Sequence, residues 1–565
     1  MSVKIDRIPT FIASIDSPDE SIFAWVDSPT NEFHSTTLLC PPWGYEHNCA
    51  YQTLRVLANM LAQHGHRVVR LDPVAAGNSG LDEAASSGLS HSSESIIRVV
   101  EWARQTSPGK VGIVGIRSSA LPVAFHLNIV DFGVLWDPTR SGKNFSRSMR
   151  AKSKLWGFGN PSSTDGPGIV VAGHYLPNHA IESIQDADAD VMSFVSQSTT
   201  PVLVLSNESW ITELAEQPHI QLDHANGTSE LLDVIAEEAS TPFELLDRIV
   251  EFVSAQVDLS SPPSKSSEWT YTPISTSTDD YRETHRIVGQ NELHVVDVQP
   301  IAGQFRGTVV FLNNGVARSI GPGRAWVEWS RKLASIEVAS LRVDISGIGE
   351  SGMRSGQKRN VHYPIEGIHD IQEVLDDLLD IHNGPIILAG VCSGAYLAID
   401  AAASVEAVTA ALSINPALHH VPDRTPPRHT LRANRPTNRF LARNLYTRVG
   451  YKLTPMTPSP VWRLLDLLHI HPLPDRGILR VAKTKRVAVV YWSEDEAVER
   501  LDQQVPRWRN NWARQSKLSV LLVDDADHSM FNRNYRDVVY THLVELCDEV
   551  FGATNDPPSP KQRSA

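Results

Sequence analysis

A cysteine at position 392 lies in a sequence pattern that is typical of a catalytic nucleophile. The apolar residues 385–389 lead directly into Gly-Val-Cys-Ser-Gly at 390–394. This spacing of glycines around a reactive residue predicts a sharp turn from a buried strand into a helix, because side chains larger than glycine would block the close backbone contacts. A thiol at such a turn is placed to attack an acyl carbon. The alternative is a buried structural cysteine in an ordinary strand–helix turn.

An acid and a histidine follow later strands, in the chain order that this chemistry requires. Asp495 comes soon after the apolar run 486–492, and His528 comes soon after the run 518–523. We expect His528 to deprotonate Cys392 and Asp495 to orient the imidazole. Glu494 is the alternative acid. Each residue alone is weak evidence. Their order along the chain, with each residue at the end of a strand, favours a catalytic triad.

Backbone donors for a developing oxyanion can be proposed from the same pattern. One is the N–H of Ser393, directly after the cysteine. The other is expected from Asn314 or Gly315, which follow the strand-like run 307–312. The alternative for Asn-Asn-Gly is ordinary turn chemistry.

A glycine-rich stretch at 347–352 matches the spacing of a dinucleotide-binding loop. The residues after it, 353–358, do not open a helix with an apolar face, so no helix N-terminus is expected to meet a pyrophosphate. A loop at the carboxyl edge of the sheet is the favoured interpretation, and no cofactor is expected.

Composition restricts the classes of protein to which the chain can belong. The 565 residues are 41% hydrophobic and 21% charged, with a net charge of −14, which argues against a general nucleic-acid binder. The four cysteines show neither metal-ligand spacing nor a disulfide framework. No signal-peptide core is evident at the N-terminus, and no apolar run approaches the ~20 residues of a membrane span. We therefore expect a soluble cytoplasmic protein without a bound metal.

The sequence predicts two related halves and a linker. Alternating strand and helix patterns predict one domain at 1–257 and another at 283–553, joined by a Ser/Pro/Thr-rich linker at 258–282. Residues 554–565 have the composition of a disordered tail. The loop from Asp72 to Ser79 has the same spacing as the loop from Asp344 to Ser351, which supports a duplicated plan.

The first half has Arg117 where the second has its cysteine, within Gly-Ile-Arg-Ser-Ser at 115–119. A guanidinium stays protonated and cannot act as a nucleophile. This half is therefore interpreted as a degenerate, non-catalytic domain that contributes to the cleft or to a homodimer surface. One alternative is that Arg117 binds a carboxylate or phosphate of the substrate. Another is an active site formed by Ser118 or Ser119 with His224.

An insertion at about 416–484 is predicted to form a helical cap over the nucleophile. It is rich in arginine, and Arg432 and Arg439 are proposed to bind substrate. Such a basic cluster beside a thiol suggests an anionic acyl donor, such as a coenzyme A thioester or a carrier-protein thioester. The alternative is a solvated helix face with scattered arginines.

Both halves resemble the paired α/β-hydrolase-like proteins associated with bacterial exosortase and exopolysaccharide loci. The resemblance is carried by short motifs: Pro41-Pro42, Gly115-Ile116-Arg117, Leu135-Trp136-Asp137-Pro138, Gly390-Val391-Cys392 and Asp527-His528. It implies an α/β fold of two α/β-hydrolase-like domains in tandem, each with a mostly parallel sheet flanked by helices. It also implies a cytoplasmic hydrolase or acyltransferase in a biosynthetic pathway.

A thioester intermediate on Cys392 would favour acyl transfer or thioester chemistry on a small-molecule acyl substrate. The alternatives are a simple ester hydrolase and a non-catalytic scaffold that binds a ligand or a partner.

Overall fold

The computed structural model divides the chain into two compact units, Met1–His285 and Arg286–Ala565. The predicted linker 258–282 falls inside the first unit, and most of it lies outside the described residues, as does the predicted tail. The structure describes residues 3–12, 18–30, 32–106, 109–155, 161–186, 190–258, 264–265, 275–303, 305–361, 366–382, 384–416, 458–467, 473 and 475–552.

The first unit is built around an eight-stranded sheet in the order β1-β2-β5-β4-β6-β7-β10-β11. From β5 to β11 the strands are parallel, and β1 and β2 extend the sheet in antiparallel pairing. The strands of this half are β1 (Ile5–Ile12), β2 (Ile22–Pro29), β3 (Glu32–Phe33), β4 (Ser35–Cys40), β5 (His66–Asp72), β6 (Lys110–Ile116), β7 (Phe132–Trp136), β8 (Gly168–Val171), β9 (His174–Pro177), β10 (Val202–Leu205), β11 (Ile220–Asp223) and β12 (Ser264–Lys265). The α-helices are Tyr45–Gln63, Leu89–Thr106, Ala120–Phe125, Gly142–Leu155, Asn178–Asp186, Val191–Gln197, Thr228–Leu232 and Phe243–Ala255.

The second sheet has nine strands in the order β13-β14-β15-β17-β16-β18-β19-β20-β21. Its six strands from β17 to β21 are parallel, and β15 pairs with β17 in antiparallel fashion. The strands are β13 (Ser275–Ser277), β14 (Tyr281–Val288), β15 (Leu293–Pro300), β16 (Gly307–Phe311), β17 (Val338–Val343), β18 (Ile386–Val391), β19 (Val408–Ile414), β20 (Arg486–Trp492) and β21 (Leu518–Val523). The α-helices are Ala325–Ala334, Gly367–Ile381, Ser393–Ser404, Ser459–Leu467, Arg476–Ala482, Glu496–Gln504, Trp508–Ala513 and Arg533–Phe551.

The central strands are apolar on both faces because helices cover both sides of each sheet. In β16, Val310 packs into the cluster on one face of the second sheet, and Val309 and Phe311 pack into the cluster on the other. Every residue of β18 is buried. The strand order and helical layers confirm the predicted fold class, two α/β-hydrolase-like domains in tandem.

The loop after β5 and the loop after β17 make the same hydrogen bonds. The Ser79 hydroxyl donates to the Asp72 carbonyl and accepts the N–H of Phe23, at 2.5 and 2.8 Å. Ser351 does the same with Asp344 and His294, at 2.5 and 2.8 Å. Residues 347–361 form a loop rather than a helix, so the stretch at 347–352 lacks the helix N-terminus of a dinucleotide site.

Between β19 and β20 the described elements are the helices Ser459–Leu467 and Arg476–Ala482. The arginine-rich part of the predicted cap, including Arg432 and Arg439, lies outside the described residues. Within the part of the chain that the structure describes, no helix is both long and apolar enough to span a membrane. The same residues contain no group of three or more His, Cys, Asp or Glu side chains arranged to hold a metal ion.

Candidate active site

Cys392 lies at the turn between β18 and the helix Ser393–Ser404, in a backbone conformation that non-glycine residues rarely adopt. Its φ is 54° and its ψ is −111°. The glycines on either side make the turn feasible. A Cβ atom on Gly390 would come within 2.3 Å of the Gly394 carbonyl carbon, and one on Gly394 within 2.3 Å of the Asn313 oxygen. The predicted sharp turn is therefore present, and the thiol is held at the start of a helix.

The exposure of Cys392 distinguishes it from the other three cysteines, all of which the structure describes. Cys40, Cys49 and Cys547 are buried, whereas Cys392 is partly exposed. Burial raises the pKa of Cys49 and of Cys547 to about 12, so both thiols stay protonated. Only Cys392 combines accessibility with a polar neighbour.

The structure brings Asp495 and His528 together at the carboxyl ends of neighbouring strands. Asp495 follows β20, His528 follows β21, and the Nδ1 atom of His528 lies 2.6 Å from the Asp495 Oδ2 atom. A carboxylate partner requires the hydrogen on Nδ1, so Nε2 is the nitrogen that can take a proton from the thiol. Asp495 is 2% exposed, whereas the His528 side chain is 37% exposed.

Each carboxylate oxygen of Asp495 has its own hydrogen-bond partner. While Oδ2 contacts His528, Oδ1 accepts the N–H of Ala497 at 2.8 Å and so caps the helix Glu496–Gln504. The N-cap role anchors the carboxylate to a helix terminus, which limits its rotation toward solvent. Neighbouring Glu494, the alternative acid, makes no hydrogen bond or ion pair to His528 among the described residues.

The Cys392 thiol and the Asp495 carboxylate both change the basicity of His528. Burial alone lowers the pKa of the imidazole, but its hydrogen bonds to Asp495 and Cys392, together with the charges of both partners, outweigh burial and raise the pKa to about 10. At neutral pH an imidazole with this pKa holds its proton, so it can stabilise the Cys392 sulfur once the thiol proton has left and can return that proton to a leaving group.

The raised pKa of His528 predicts that stability falls as the pH rises. The folded pKa is above the value of about 6.5 for an unperturbed histidine, so protonation favours the folded state. The contribution is fully present below about pH 6.5 and is lost as the pH rises toward 10. Solvent screening keeps it small, because 37% of the side chain is exposed. Thermal unfolding of the wild type and of His528→Gln across this range checks the prediction, and parallel pH profiles would contradict it.

The predicted oxyanion donors differ in their hydrogen bonds. The N–H of Gly315 is not free, since it donates to the Ser393 hydroxyl at 2.8 Å. The Asn314 carbonyl accepts the N–H of Ala317 at 2.8 Å, and the Asn314 N–H makes no hydrogen bond among the described residues. Ser393 itself is buried at the first position of the helix after the cysteine. The assignment of oxyanion donors to Ser393, Asn314 and Gly315 stays a prediction.

Two residues that had no predicted role organise the histidine loop, residues 524–532 between β21 and the helix Arg533–Phe551. Asp527 is 1% exposed, and its carboxylate accepts the N–H groups of Ser529, Phe531 and Asn532. Asn415 follows β19 and donates to the carbonyl of His528 at 3.0 Å. The position of Asp527 beside His528 was a usable signal, whereas nothing in the local sequence around Asn415 pointed to the histidine.

The first unit has the same kind of turn, with Arg117 at the equivalent position. Arg117 follows β6 with a φ of 52°. The loop contact is also repeated, because the N–H of Trp43 donates to the Ser118 hydroxyl at 2.8 Å, as Gly315 does to Ser393. The geometry of the turn therefore survives without a nucleophile.

The Arg117 guanidinium is held by carboxylates of its own unit. It donates through Nη1 and Nη2 to both oxygens of Asp233, at 3.0 and 2.7 Å, and through Nε to Asp137 at 2.8 Å. Lys152 binds Glu46 and Asp233 beside it. Burial by itself raises the pKa of Asp233, but the hydrogen bonds and charges of Arg117 and Lys152 together outweigh it and lower that pKa overall. An anionic ligand at Arg117 would have to displace Asp233, so its role in substrate binding stays a prediction.

The alternative nucleophiles of the first unit are engaged elsewhere. Ser119 donates to the Cys40 carbonyl at 2.7 Å and accepts the N–H of Ile116 at 2.8 Å. His224 is exposed, and its ring contacts Asn207 at 3.3 Å. Among the described residues His224 makes no hydrogen bond to Ser118 or Ser119, so nothing in this geometry favours the alternative site.

Substitution of Arg117 by methionine separates the two interpretations of this arginine. If its role is structural, Arg117→Met leaves Asp137 without this guanidinium and Asp233 with Lys152 as its remaining cation, and we expect a loss of about 1–3 kcal/mol in the free energy of unfolding. Urea denaturation measures this loss, and the rate of acylation at Cys392 should not change. An unchanged stability with slower acylation would instead indicate that Arg117 binds the acyl donor.

Comparison with known proteins supports the fold of the second unit. Residues 309–539 match the family model described as alpha/beta hydrolase family, a stretch that contains Cys392, Asp495 and His528. No curated protein matches the chain. The narrower resemblance to the paired proteins of exosortase loci stays a prediction.

Several solved structures are similar to about half of the chain. An esterase of Pyrococcus furiosus is 14% identical, with a TM-score of 0.32, over 48% of this chain and 94% of that chain. Alpha/beta hydrolase domain-containing protein 10 from mouse is 19% identical, with a TM-score of 0.29, over 47% and 99%. An alpha-beta serine hydrolase homologue from Coxiella burnetii is 14% identical, with a TM-score of 0.28, over 46% and 96%.

Proposed function

We propose that the protein is a cysteine-dependent acyltransferase or thioesterase that works through an acyl-cysteine intermediate. Cys392 is the nucleophile, His528 the general base, and Asp495 the residue that orients the imidazole. The observation that carries the proposal is the 2.6 Å contact between His528 and Asp495, beside a Cys392 thiol that contributes to the raised pKa of His528. Cys392 follows β18, Asp495 follows β20 and His528 follows β21. These are parallel strands of one sheet, so all three residues follow its carboxyl edge.

The reaction proceeds in two steps. In the first, the Cys392 sulfur attacks the acyl carbon while its proton passes to His528, and the leaving thiol or alcohol departs with that proton. A thioester between the acyl group and Cys392 remains. In the second step an acceptor amine, alcohol or water loses its proton to His528 and attacks the thioester. The bond between the acyl carbon and the sulfur breaks, and the proton on His528 passes to the Cys392 sulfur, which restores the thiol. The identity of this acceptor decides between transfer and hydrolysis.

Cysteine at this position favours acyl transfer over simple ester hydrolysis. A thioester passes its acyl group to an amine more readily than an oxyester does, so a cysteine enzyme has an advantage when the acceptor is not water. We propose a thioester of coenzyme A or of a carrier protein as the acyl donor. The arginines of the cap region, with Arg432 and Arg439 among them, are proposed to bind its phosphates. The first unit is proposed to be a non-catalytic companion domain of a cytoplasmic enzyme.

Mass spectrometry of the intact protein after incubation with a mixture of acyl-coenzyme A thioesters tests the proposal. We expect an acyl adduct at Cys392 that is absent from Cys392→Ala and present in Cys49→Ala, which removes a buried thiol instead. The mass of the adduct identifies the acyl group. An adduct that survives the removal of Cys392, or no adduct in the wild type with either thioesters or activated esters, would favour the non-catalytic scaffold.

A further inference from the structure

Asn415 occupies a buried position where three segments of the second unit meet: the end of β20, the histidine loop and the helix Arg533–Phe551. It follows β19 directly, is 0% exposed, and has a φ of 44°. Its own N–H donates to the Val490 carbonyl of β20 at 2.9 Å. A non-glycine residue pays a conformational cost at this φ, although asparagine tolerates it better than most residues. Such a cost is retained when the side chain makes contacts that compensate for it.

The Asn415 side chain makes four hydrogen bonds to those segments. Its Nδ2 group donates to the carbonyls of Asp527 and His528, at 2.9 and 3.0 Å. Its Oδ1 atom accepts the N–H of Trp492 at 2.8 Å and the Tyr535 hydroxyl at 3.2 Å. One amide therefore links the main chain of the histidine loop to the strand end that precedes Asp495.

We propose that Asn415 is a positioning residue, which sets the distance and angle between the His528 imidazole and the Asp495 carboxylate. The inference rests on the proposed function, because it assigns a role within the same site. Among the described residues Asn415 makes no hydrogen bond to Cys392, and it acts through the main chain of residues 527 and 528 on one side and 492 on the other.

The chemistry of this position requires an amide. Both Nδ2 partners are carbonyl oxygens, and both Oδ1 partners are hydrogen-bond donors, so an amide satisfies all four contacts. A carboxylate of the same shape would place an acceptor against the carbonyls of Asp527 and His528. The histidine loop would then lose its attachment to the sheet.

The first unit provides an internal comparison. Asp137 occupies the matching position after β7, with a φ of 47° and its N–H donating to the Leu205 carbonyl at 2.7 Å. Its carboxylate binds the guanidinium of Arg117 instead of a loop carbonyl. In the first unit the residue at this position is an aspartate that binds the Arg117 guanidinium. In the second unit it is an asparagine whose amide binds the main chain of the loop that carries His528.

Three variants of the full-length chain test the inference. Asn415→Asp keeps the shape of the side chain but replaces its N–H donors with an acceptor oxygen. Asn415→Gly removes the side chain at a φ that glycine adopts freely. Tyr535→Phe is the matched control, which removes one hydrogen bond to the Asn415 Oδ1 atom. The readouts are the His528 titration by NMR, assigned with His528→Gln, and the rate of Cys392 alkylation by iodoacetamide at pH 7.5. Thermal melting verifies the fold.

We expect both Asn415 variants to lower the His528 titration midpoint by at least one pH unit and to slow alkylation by about 10-fold to 100-fold, since a displacement of about 1 Å at a reacting pair costs about this much. Tyr535→Phe should change neither readout by more than about threefold, because the two bonds to the histidine loop remain. If Asn415→Gly melts like the wild type and still shows the lowered His528 titration midpoint, the result supports a role in positioning.

Two results would overturn the inference. Normal titration and alkylation in folded Asn415→Gly, with slow alkylation in His528→Gln, would refute the role of Asn415 and leave the proposed function intact. Loss of the melting transition in both Asn415 variants would make the residue structural. If His528→Gln itself alkylates at the wild-type rate, the proposed function fails as well, so the two failures are distinguishable.

Discussion

Substitution of His528 by alanine should lower the rate of acylation of Cys392 by about 10²-fold to 10⁴-fold, the usual contribution of a general base. The imidazole contacts the thiol and is oriented by Asp495 at 2.6 Å, and without it the thiol must lose its proton to water. The rate is measured by intact-protein mass spectrometry as the acyl adduct accumulates from acyl-coenzyme A.

Histidine 224 of the first unit is the matched control for this prediction. It is exposed, it follows β11, and its hydrogen bonds among the described residues are to Asn207 and to its chain neighbour Asp223. His224→Ala should therefore leave acylation of Cys392 unchanged. Equal losses in the two variants would point to a general effect on folding, and a loss in His224→Ala alone would contradict the assignment of His528 as the base.

Substitution of Asp495 by asparagine should lower turnover by about 10⁴-fold, as the same change does in serine proteases. Asparagine can still accept the N–H of Ala497, so the helix Glu496–Gln504 keeps its N-cap. Toward His528, however, an amide can present an N–H group where the carboxylate accepted one, and the imidazole then takes the wrong tautomer. Steady-state kinetics together with thermal melting detect a large kinetic loss with little loss of stability.

Two further substitutions make the assignment of the acid specific. Glu494→Gln changes the neighbouring acid, which has no contact to His528 among the described residues, and should leave turnover unchanged. Asp495→Ala should show the kinetic loss together with a loss of about 1 kcal/mol of stability, because it also removes the helix cap. If Glu494→Gln abolishes turnover while Asp495→Asn does not, the orienting acid is Glu494.

The first unit shows how much of this arrangement is required by the fold alone. Its turn keeps the positive φ at Arg117 and the bond from Trp43 to Ser118, yet it has an ion-pair cluster in place of a thiol and a histidine. The turn and its supporting loop are therefore structural features of both units. The chemistry resides in the side chains that the second unit adds.

The sequence by itself determined the features that depend on short stretches of chain. The turn at Cys392 is readable because the backbone approaches itself at Gly390 and Gly394, where a Cβ atom cannot fit. The alternating apolar runs predicted the two sheets, and the order of Cys392, Asp495 and His528 predicted a shared sheet edge. These are local steric and hydrophobic constraints, which neighbouring residues impose on one another.

Only the tertiary structure decided which polar atoms meet. Asn415 donates a hydrogen bond to Asp527, 112 positions later in the chain. The Gly315 N–H donates to the Ser393 hydroxyl, and the Arg117 guanidinium binds Asp233. Contacts of this kind follow from strand order and register, which bring distant segments to within 3 Å, and no local pattern records them. The physical reason is that a hydrogen bond depends on distance and direction in space, whereas sequence spacing constrains these only over a few residues.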